Sequence, residues 1–354
     1  MSRFLPLTRP GRPILRRGRG TVQLGIEPDS AVVIDRLSDD AATALLRLDG
    51  ATGRHEVLTL APELGDVLDE LHRRGVLDDD PGPTSTVSTV RRTRHAPEIA
   101  ALALAHASRS AALRVLARRA RATVIVRGSD PAATHVALGL AASGVGTVAL
   151  EGPDHGVAAA DLTPLGPLEI SDSWRQDVSE ALRRQGAHPA VVSGRTSRPA
   201  LVVVCGAADI DVPWTDPELA DDLLADGITH LALAVSGTAA RVGPLVRPGR
   251  SACLWCLDGR STDLDPAWPA LADQIRLRHY SARARSTALT SLAAAFAVTQ
   301  CLAVVDGVDG DPEPASLGAQ VEFRLADPLP RVLPVAEHPG CGCGWARTTG
   351  TMAG

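Results

Sequence analysis

Four cysteines in two closely spaced pairs constrain this chain more than any other feature. Cys253-Leu-Trp-Cys256 is a C-x2-C knuckle, and Cys341-Gly-Cys343 is a tighter C-x-C pair near the C-terminus. Zinc prefers four tetrahedral thiolate or imidazole ligands, which two short cysteine turns supply. His338 is an alternative ligand beside the second pair. The spacing predicts one Zn²⁺ ion with a structural role, because a closed four-thiolate site leaves no open position for a substrate.

A disulfide and two unrelated thiol pairs are the alternatives to a metal site. The first twenty residues are basic but lack the apolar segment of a signal peptide. In a reducing compartment, paired cysteines are metal ligands more often than disulfides. We therefore expect a cytoplasmic zinc protein. The other two cysteines, Cys205 and Cys301, are expected to be buried small apolar side chains.

The composition limits the partners that the chain can have. Its 354 residues allow about two domains, and 45% hydrophobic with only 3% aromatic residues predicts a core of Ala, Val and Leu. The net charge of −5 favours neither nucleic acid nor a membrane surface. Serine, threonine and glutamine interrupt the longest apolar segment, at 286–305, which indicates a buried helix rather than a membrane span.

Residues 1–80 predict a small winged-helix-like α+β domain. Short strands are expected at 13–17, 21–25 and 31–35, followed by helices at 38–48 and 62–75. A polar linker is expected at 81–95, and one Ala/Leu-rich helix at 96–120.

The second predicted domain, 96–346, has a different pattern, in which short apolar runs alternate with helical stretches. This alternation indicates parallel βαβ units and an open doubly wound sheet. A disordered tail is expected at 347–354. The predicted strands are 123–126, 147–150, 201–205, 230–235 and 320–325, and the predicted helices are 132–143, 172–185, 216–226 and 287–305.

The run from His230 to Cys256 resembles the ThiF/MoeB superfamily of ubiquitin-activating-like adenylyltransferases. In both, a late strand leads through Gly243-Pro244 to the first cysteine knuckle. The resemblance covers about residues 100–345. It implies an α/β fold, namely a ThiF-type Rossmann-like doubly wound sheet with a zinc-knuckle C-terminal region, preceded by the small winged-helix-like domain.

The nucleotide half of that family pattern is degenerate in this chain. The family has a G-x-G-x-x-G turn after its first strand, whereas this chain has one glycine, Gly128, followed by Asp130 and Pro131. Glu151 and Asp209 stand where the family holds ribose and Mg²⁺, and are interpreted as relics of a nucleotide site. All 36 basic residues are arginine, so the family's phosphate lysine is missing. These departures argue against bound ATP and Mg²⁺ and against any catalytic residue.

The first domain resembles the PqqD-like peptide-recognition element, on the segment from Gly18 to Gly25 and on Leu48-Asp49-Gly50. In that family a leader peptide adds a strand beside the third strand and packs on the last helix. The resemblance implies the peptide-binding positions Ala31, Val32, Val33, Ile34, Asp35, Val67, Glu70 and Leu71.

Together the two resemblances imply a non-catalytic partner protein for modified-peptide biosynthesis. It would bind a precursor (leader) peptide and present it to a YcaO-type azoline-forming enzyme, and a homodimer is one expectation for its assembly. The alternative is an active ATP-dependent adenylyltransferase that modifies a sulfur-carrier-like protein. A third hypothesis, a winged-helix DNA-binding protein, is the least compatible with the acidic balance.

Overall fold

The protein is described from a computed structural model. The chain divides into two compact units, Met1–Ala117 and Arg118–Gly354. Asp209 and the tail 347–354 lie outside the described residues. The described residues are 6–8, 13–29, 31–48, 54–79, 87–106, 109–161, 169–191, 198–206, 217–277, 285–307, 312–327 and 329–343.

The first unit is a small α+β structure built around one apolar cluster. Its central sheet has the antiparallel order β2-β3-β4, and the short strands β1 and β5 pair separately. Ser38 caps α1 because its hydroxyl accepts the N–H of Ala41. The elements are β1 (Pro6–Thr8), β2 (Ile14–Gly18), β3 (Thr21–Leu24), β4 (Val32–Ile34), α1 (Asp39–Leu46), α2 (Arg54–Leu60), α3 (Leu64–Arg73) and β5 (Leu77–Asp79).

Three further helices follow: α4 (Thr89–Arg94), α5 (Ala96–Ala105) and α6 (Arg109–Arg121). The single helix predicted over 96–120 is wrong, because α5 ends at Ala105, and the N–H of its C-cap residue His106 donates to the carbonyl of Leu102. The sequence analysis also missed α2, which is only seven residues long and has a single buried side chain, Val57.

The second unit is a mixed eight-stranded sheet of order β13-β12-β11-β10-β9-β6-β7-β8. The strands from β10 to β8 run parallel, whereas β11, β12 and β13 are antiparallel to their neighbours. The strands are β6 (Thr123–Arg127), β7 (Thr147–Glu151), β8 (His188–Val191), β9 (Leu201–Cys205), β10 (His230–Val235), β11 (Ala239–Val246), β12 (Ala319–Arg324) and β13 (Arg331–Pro334).

Helices cover the sheet and form the Ala/Val/Leu core that the composition predicts. The longest, α12, packs against α7 and against the face of β10 that carries Leu231 and Leu233. It is long and apolar enough to cross a membrane by length and composition, but half of its apolar window is buried inside the protein. The helices are α7 (Pro131–Ala142), α8 (Trp174–Arg184), α9 (Pro217–Ala225), α10 (Leu254–Leu264), α11 (Trp268–Leu277) and α12 (Thr287–Asp306).

The doubly wound α/β prediction is confirmed, and its purely parallel form is corrected. The sequence analysis missed β8, β11 and β13. The strand β11 contains the Gly243-Pro244 pair, which breaks the apolar run that would have marked it. A buried ion pair fixes the ends of two helices, since Arg119 near the end of α6 donates to Asp306 at the end of α12, with N···O distances of 2.7 Å.

Candidate functional site

The cysteine pairs come together on one side of the second unit. The strand β11 ends in a turn that is closed by a 2.9 Å hydrogen bond from the Arg247 N–H to the Ser251 hydroxyl. Cys253 then stands at the N-cap of α10, so Cys256 lies in the first turn of that helix. The second pair arrives after β13, in a turn in which the Cys341 N–H donates to the carbonyl of His338.

The four sulfur atoms form one compact cluster. All lie within 4.8 Å of one another. Cys253 Sγ is 3.8 Å from Cys256 Sγ and 3.3 Å from Cys341 Sγ, and Cys256 Sγ is 3.4 Å from Cys343 Sγ. A zinc ion with Zn–S bonds of about 2.3 Å places its sulfurs at comparable separations. None of the four cysteines forms a disulfide, so this arrangement favours the metal site over the disulfide alternative.

The surroundings of the sulfurs fit a cation. Burial raises the pKa of the Cys253 thiol far above its ordinary value, and burial raises the pKa of the Cys343 thiol to about 12. Burial also acts against the Cys256 thiolate, but backbone N–H groups of His338 and Cys253 outweigh it and lower its pKa. A cluster of four thiols that cannot ionise together in isolation is stabilised as thiolates by a soft divalent ion.

An apolar shell surrounds this centre. Ala232 of β10, Ala252 and Val335 are buried against the cysteines. Trp255 packs on the same cluster, and its indole N–H donates to Asp221 of α9 over 2.7 Å. The site therefore joins α9, α10 and the segment after β13. Among these described residues, the cysteine sulfurs are the groups placed to bind a ligand.

His338 is not a ligand in this arrangement. Both of its ring nitrogens face other partners, because Nδ1 accepts the N–H of Gly340 at 3.2 Å and Nε2 lies 3.1 Å from a carboxylate oxygen of Asp263. The four cysteines are therefore the side chains placed to hold a metal ion together, whereas the ring nitrogens of His338 face other partners.

The second candidate region is the crevice at the carboxyl ends of β6, β7 and β9. The chain proceeds from β6 to β7 and β8 on one side and returns to β9 on the other. In open α/β sheets, ligands bind at this switch of direction. Gly128 begins the loop after β6 with a φ of +134° and packs so tightly that a Cβ would lie 2.9 Å from the Cβ of Cys205. A glycine is therefore required there by the fold itself.

Asp130 occupies the position at which a nucleotide phosphate would meet the helix. Its carboxylate is the N-cap of α7 and accepts the N–H of Ala133 at 2.8 Å. Helix N-termini bind phosphates through free N–H groups and a favourable dipole. Here a carboxylate of the chain already satisfies one of these donors, and Pro131 in the first turn removes another.

Glu151, at the end of β7, is the position implied for the ribose. Its carboxylate lies 3.4 Å from the guanidinium of Arg127, its neighbour across the sheet. Asp161, after the loop that follows β7, has its carboxylate 3.8 Å from Arg285. Glu151 and Asp161 thus each lie within 4 Å of an arginine of the same unit. Asp209 lies outside the described residues.

A loop after β7 folds over the same edge of the sheet. Asp154 accepts the N–H of Arg175 and the hydroxyl of Ser173, at 3.0 and 2.8 Å. Hydrogen bonds from the Arg175 backbone and Ser173 lower the pKa of Asp154. His155 stacks on Trp174 with ring centroids 5.9 Å apart. Sequence reasoning missed this cluster, because nothing in the spacing of these residues signals it.

His155 attaches the loop to the glycine turn. Its Nε2 lies 2.9 Å from the carbonyl of Ser129 and its Nδ1 lies 2.9 Å from the carbonyl of Gly156. Burial opposes protonation, but these two carbonyls outweigh it and raise the pKa of His155. The imidazole of His155 thereby engages the backbone carbonyl of Ser129 in the turn after β6.

The remaining cysteines agree with their expected role as apolar side chains. Cys301 is fully buried in α12, and Cys205 is half-buried at the end of β9. Burial raises the pKa of both thiols, which disfavours the nucleophilic thiolate.

In the first unit, the implied peptide-binding strand is β4, an edge of its sheet. Val32 and Ile34 pack toward the core, whereas Val33 is 41% exposed. Ala31 and Asp35 flank the strand. Within the described part of the chain, β4 pairs with β3 alone, which leaves one row of its backbone groups available to an added strand.

The three implied positions on α3 have different surroundings. Val67 packs partly on the core, and Glu70 forms ion pairs with Arg73 and Arg74. Leu71 is only 2% exposed, so it belongs to the interior of the unit and presents no surface to a peptide.

No protein-family model and no curated protein matches this sequence. Solved structures do resemble it. Escherichia coli MccB with ATP matches with a TM-score of 0.63 and 15% identity, over 96% of this chain and 99% of that chain. A second MccB structure is described as a microcin C7 biosynthetic enzyme in complex with N-formylated MccA. It matches with a TM-score of 0.63 and 14% identity, again over 96% of this chain and 99% of that chain.

A second protein, PaaA, matches with a TM-score of 0.60 and 16% identity, over 77% of this chain and 92% of that chain. Identities this low show a common fold and leave the activity open. The chain therefore has the ThiF-type α/β fold of MccB, with a small α+β unit before it and a four-cysteine candidate metal centre within it.

Proposed function

We propose that this protein binds a precursor peptide through its first unit and presents it to a YcaO-type azoline-forming enzyme, without adenylating the peptide itself. The main support is that the likeness to MccB extends over 96% of this chain, and so includes most of the small first unit. MccB is a microcin C7 biosynthetic enzyme, and that structure holds it in complex with N-formylated MccA. We infer from the shared fold that this chain also holds a partner of its own, a precursor peptide.

The state of the crevice supports the non-catalytic part of the proposal. An adenylyltransferase must bring the triphosphate to free backbone N–H groups and balance its charge with cations. In this chain Asp130 accepts one of those N–H groups, and Arg127 lies beside Glu151 rather than an open phosphate position. The sequence has no lysine to replace them.

The edge of β4 suits a peptide bound as an added strand. Backbone hydrogen bonds along a free edge give affinity, and the side chain beside them gives selectivity. Val33 is the exposed apolar side chain of that strand. We assign the peptide contact to Ala31, Val32, Val33, Ile34 and Asp35, with Val67 and Glu70 on α3 as the second surface.

The binding test uses fluorescence polarisation with a labelled leader peptide encoded beside this protein's gene. Val33→Asp is expected to weaken binding at least tenfold, because a charge replaces the apolar neighbour of the added strand. Leu15→Asp on β2 is the matched control. Leu15 is 42% exposed, much like Val33, and both residues pair with Gln23 of the central strand β3, but Leu15 lies on the strand at the opposite side of the sheet from β4. Absence of saturable binding to the wild-type protein would refute the proposal.

The role toward a YcaO-type enzyme has a separate test. Mixing that enzyme, ATP and the full precursor peptide with and without this protein measures its effect on azoline formation by mass spectrometry. We expect at least a tenfold faster reaction with the wild-type protein and the basal rate with Val33→Asp. An equal rate in the presence and absence of the wild-type protein contradicts a presenting role.

The second candidate is an active adenylyltransferase, which the structure of MccB with ATP favours. Its substrate would be the C-terminus of a peptide or of a sulfur-carrier-like protein. The decisive measurement is ATP–pyrophosphate exchange with the candidate substrate. Substrate-dependent exchange would establish this function and reject the non-catalytic one.

A further inference from the structure

His338 touches both halves of the cysteine centre without being a ligand. Its ring lies on Gly259 of α10, where a Cβ would come within 2.9 Å of Cγ and Nδ1. On the other side, Nδ1 accepts the N–H of Gly340, inside the turn that carries Cys341. The ring thus fills the gap between the helix that follows the first cysteine pair and the turn that presents the second.

Hydrogen bonds engage both ring nitrogens of His338. Since Nδ1 accepts from Gly340, the proton belongs on Nε2, which donates to Asp263 of α10 at 3.1 Å. The backbone of His338 contributes as well, because its N–H donates to the sulfur of Cys256 and its carbonyl accepts the N–H of Cys341.

We infer that His338 is a positioning residue for the metal, and that its ring fixes the Cys341–Cys343 turn against α10 and so slows the release of zinc. Partners of this kind orient metal ligands, and their loss commonly costs about 10–100-fold in metal affinity. The side chain acts on the second cysteine pair through Gly340 and on α10 through Asp263 and Gly259. Four cysteines remain the complete ligand set.

The test measures zinc transfer from the full-length zinc-loaded protein to the chromophoric chelator 4-(2-pyridylazo)resorcinol. His338→Ala is expected to release zinc about 10–100-fold faster than the wild type, and Asp263→Ala is expected to have a smaller effect of the same sign. His188→Ala, an exposed histidine on β8 of the same unit, is the matched control and is expected to leave the rate unchanged.

Two further measurements separate positioning from ligation and from general helix stability. The cobalt-substituted His338→Ala protein is expected to keep the absorption bands of a four-thiolate site, which a lost ligand would shift. Gly259→Ala favours the helix but displaces the ring, so it is expected to release zinc faster. Wild-type release rates in His338→Ala and Gly259→Ala would overturn the inference, and so would a wild-type protein that binds no zinc. None of these outcomes depends on peptide binding.

Discussion

The cysteine centre and the nucleotide-type crevice lie in the same α/β unit, but their donor groups are arranged in opposite ways. At the cysteine centre, four sulfurs lie within 4.8 Å of one another. Burial disfavours the thiolate forms of Cys253 and Cys343 in isolation, and a bound cation would stabilise those forms. In the crevice, Asp130, Glu151 and Asp161 already have partners from the chain itself. One region thus leaves four clustered sulfurs available to a metal ion, whereas the other pairs its acidic groups within the chain.

The largest expected effect comes from removing one metal ligand. Cys253→Ser replaces a fully buried thiolate and is expected to abolish zinc binding and unfold the second unit, because structural zinc contributes free energy comparable to a domain's whole stability, about 5–15 kcal/mol. Elemental analysis and circular dichroism measure both changes. Cys205→Ser, outside the centre, is expected to retain about one zinc per chain. A folded, metal-free Cys253→Ser protein would show that the comparison is false.

The next effect concerns Asp130 in the crevice. If its carboxylate serves the helix, Asp130→Ala is expected to lower the free energy of unfolding by about 0.5–2 kcal/mol through loss of the N-cap. Asp130→Asn keeps an acceptor for the Ala133 N–H and is expected to remain near the wild type. Urea denaturation measures the difference, and equal stability of all three proteins contradicts a capping role.

The two regions are expected to respond to pH in opposite directions. Zinc release accelerates as the pH falls, because protons compete for the thiolates. The pKa of His155 is raised above 6.5 in the folded protein, so its contribution to stability is present below pH 6.5 and is lost as the pH rises through the folded value.

Thermal unfolding between pH 5.5 and 8.5 tests the second half of this prediction. The stability difference between the wild type and His155→Ala is expected to shrink as the pH rises, and chelator competition over the same range follows the zinc. A difference that grows with pH would mean that the carbonyls of Ser129 and Gly156 do not hold a protonated ring.

The smallest expected effect is none at all. Millimolar MgATP is expected to leave the melting temperature of the wild-type protein unchanged, whereas a ligand at 100 times its Kd stabilises by about 2.7 kcal/mol. Zinc added to the metal-free protein provides the positive control in the same assay. A clear upward shift with MgATP would place a working nucleotide site in the crevice and remove the contrast between the two regions.

Local spacing was sufficient to predict that the four cysteines cluster, but it did not predict the surroundings of the crevice. The short turns around Cys253 and Cys341 bring the ligands of each pair together, so their pattern is visible in the sequence. The sequence predicted that Asp130 repels a phosphate, and that remains a prediction; its capping role depends on where α7 begins. The roles of His155 and Trp174 depend on contacts between distant segments, which no periodicity records.

The strands likewise divide into those that local sequence predicts and those that depend on tertiary contacts. Parallel strands such as β6 and β9 are continuous apolar runs, and the sequence indicates them directly. The antiparallel strand β11 was missed because Gly243-Pro244 interrupts it, and β13 because all its residues are exposed. Their place in the sheet comes from pairing with β10 and β12, which is a tertiary property. His338 likewise was recognised as a nearby donor, while its contact with Gly259 required the folded chain.

The 88-residue separation between Cys253 and Cys341 has a consequence for biosynthesis. A ribosome that adds about 5–20 residues per second makes the second sulfur roughly 4–18 s after the first. During that interval the nascent chain has Cys253 and Cys256 without the second pair that would complete the cluster. If the cluster holds a metal, oxidants that act in this interval are expected to divert newly made chains rather than finished ones.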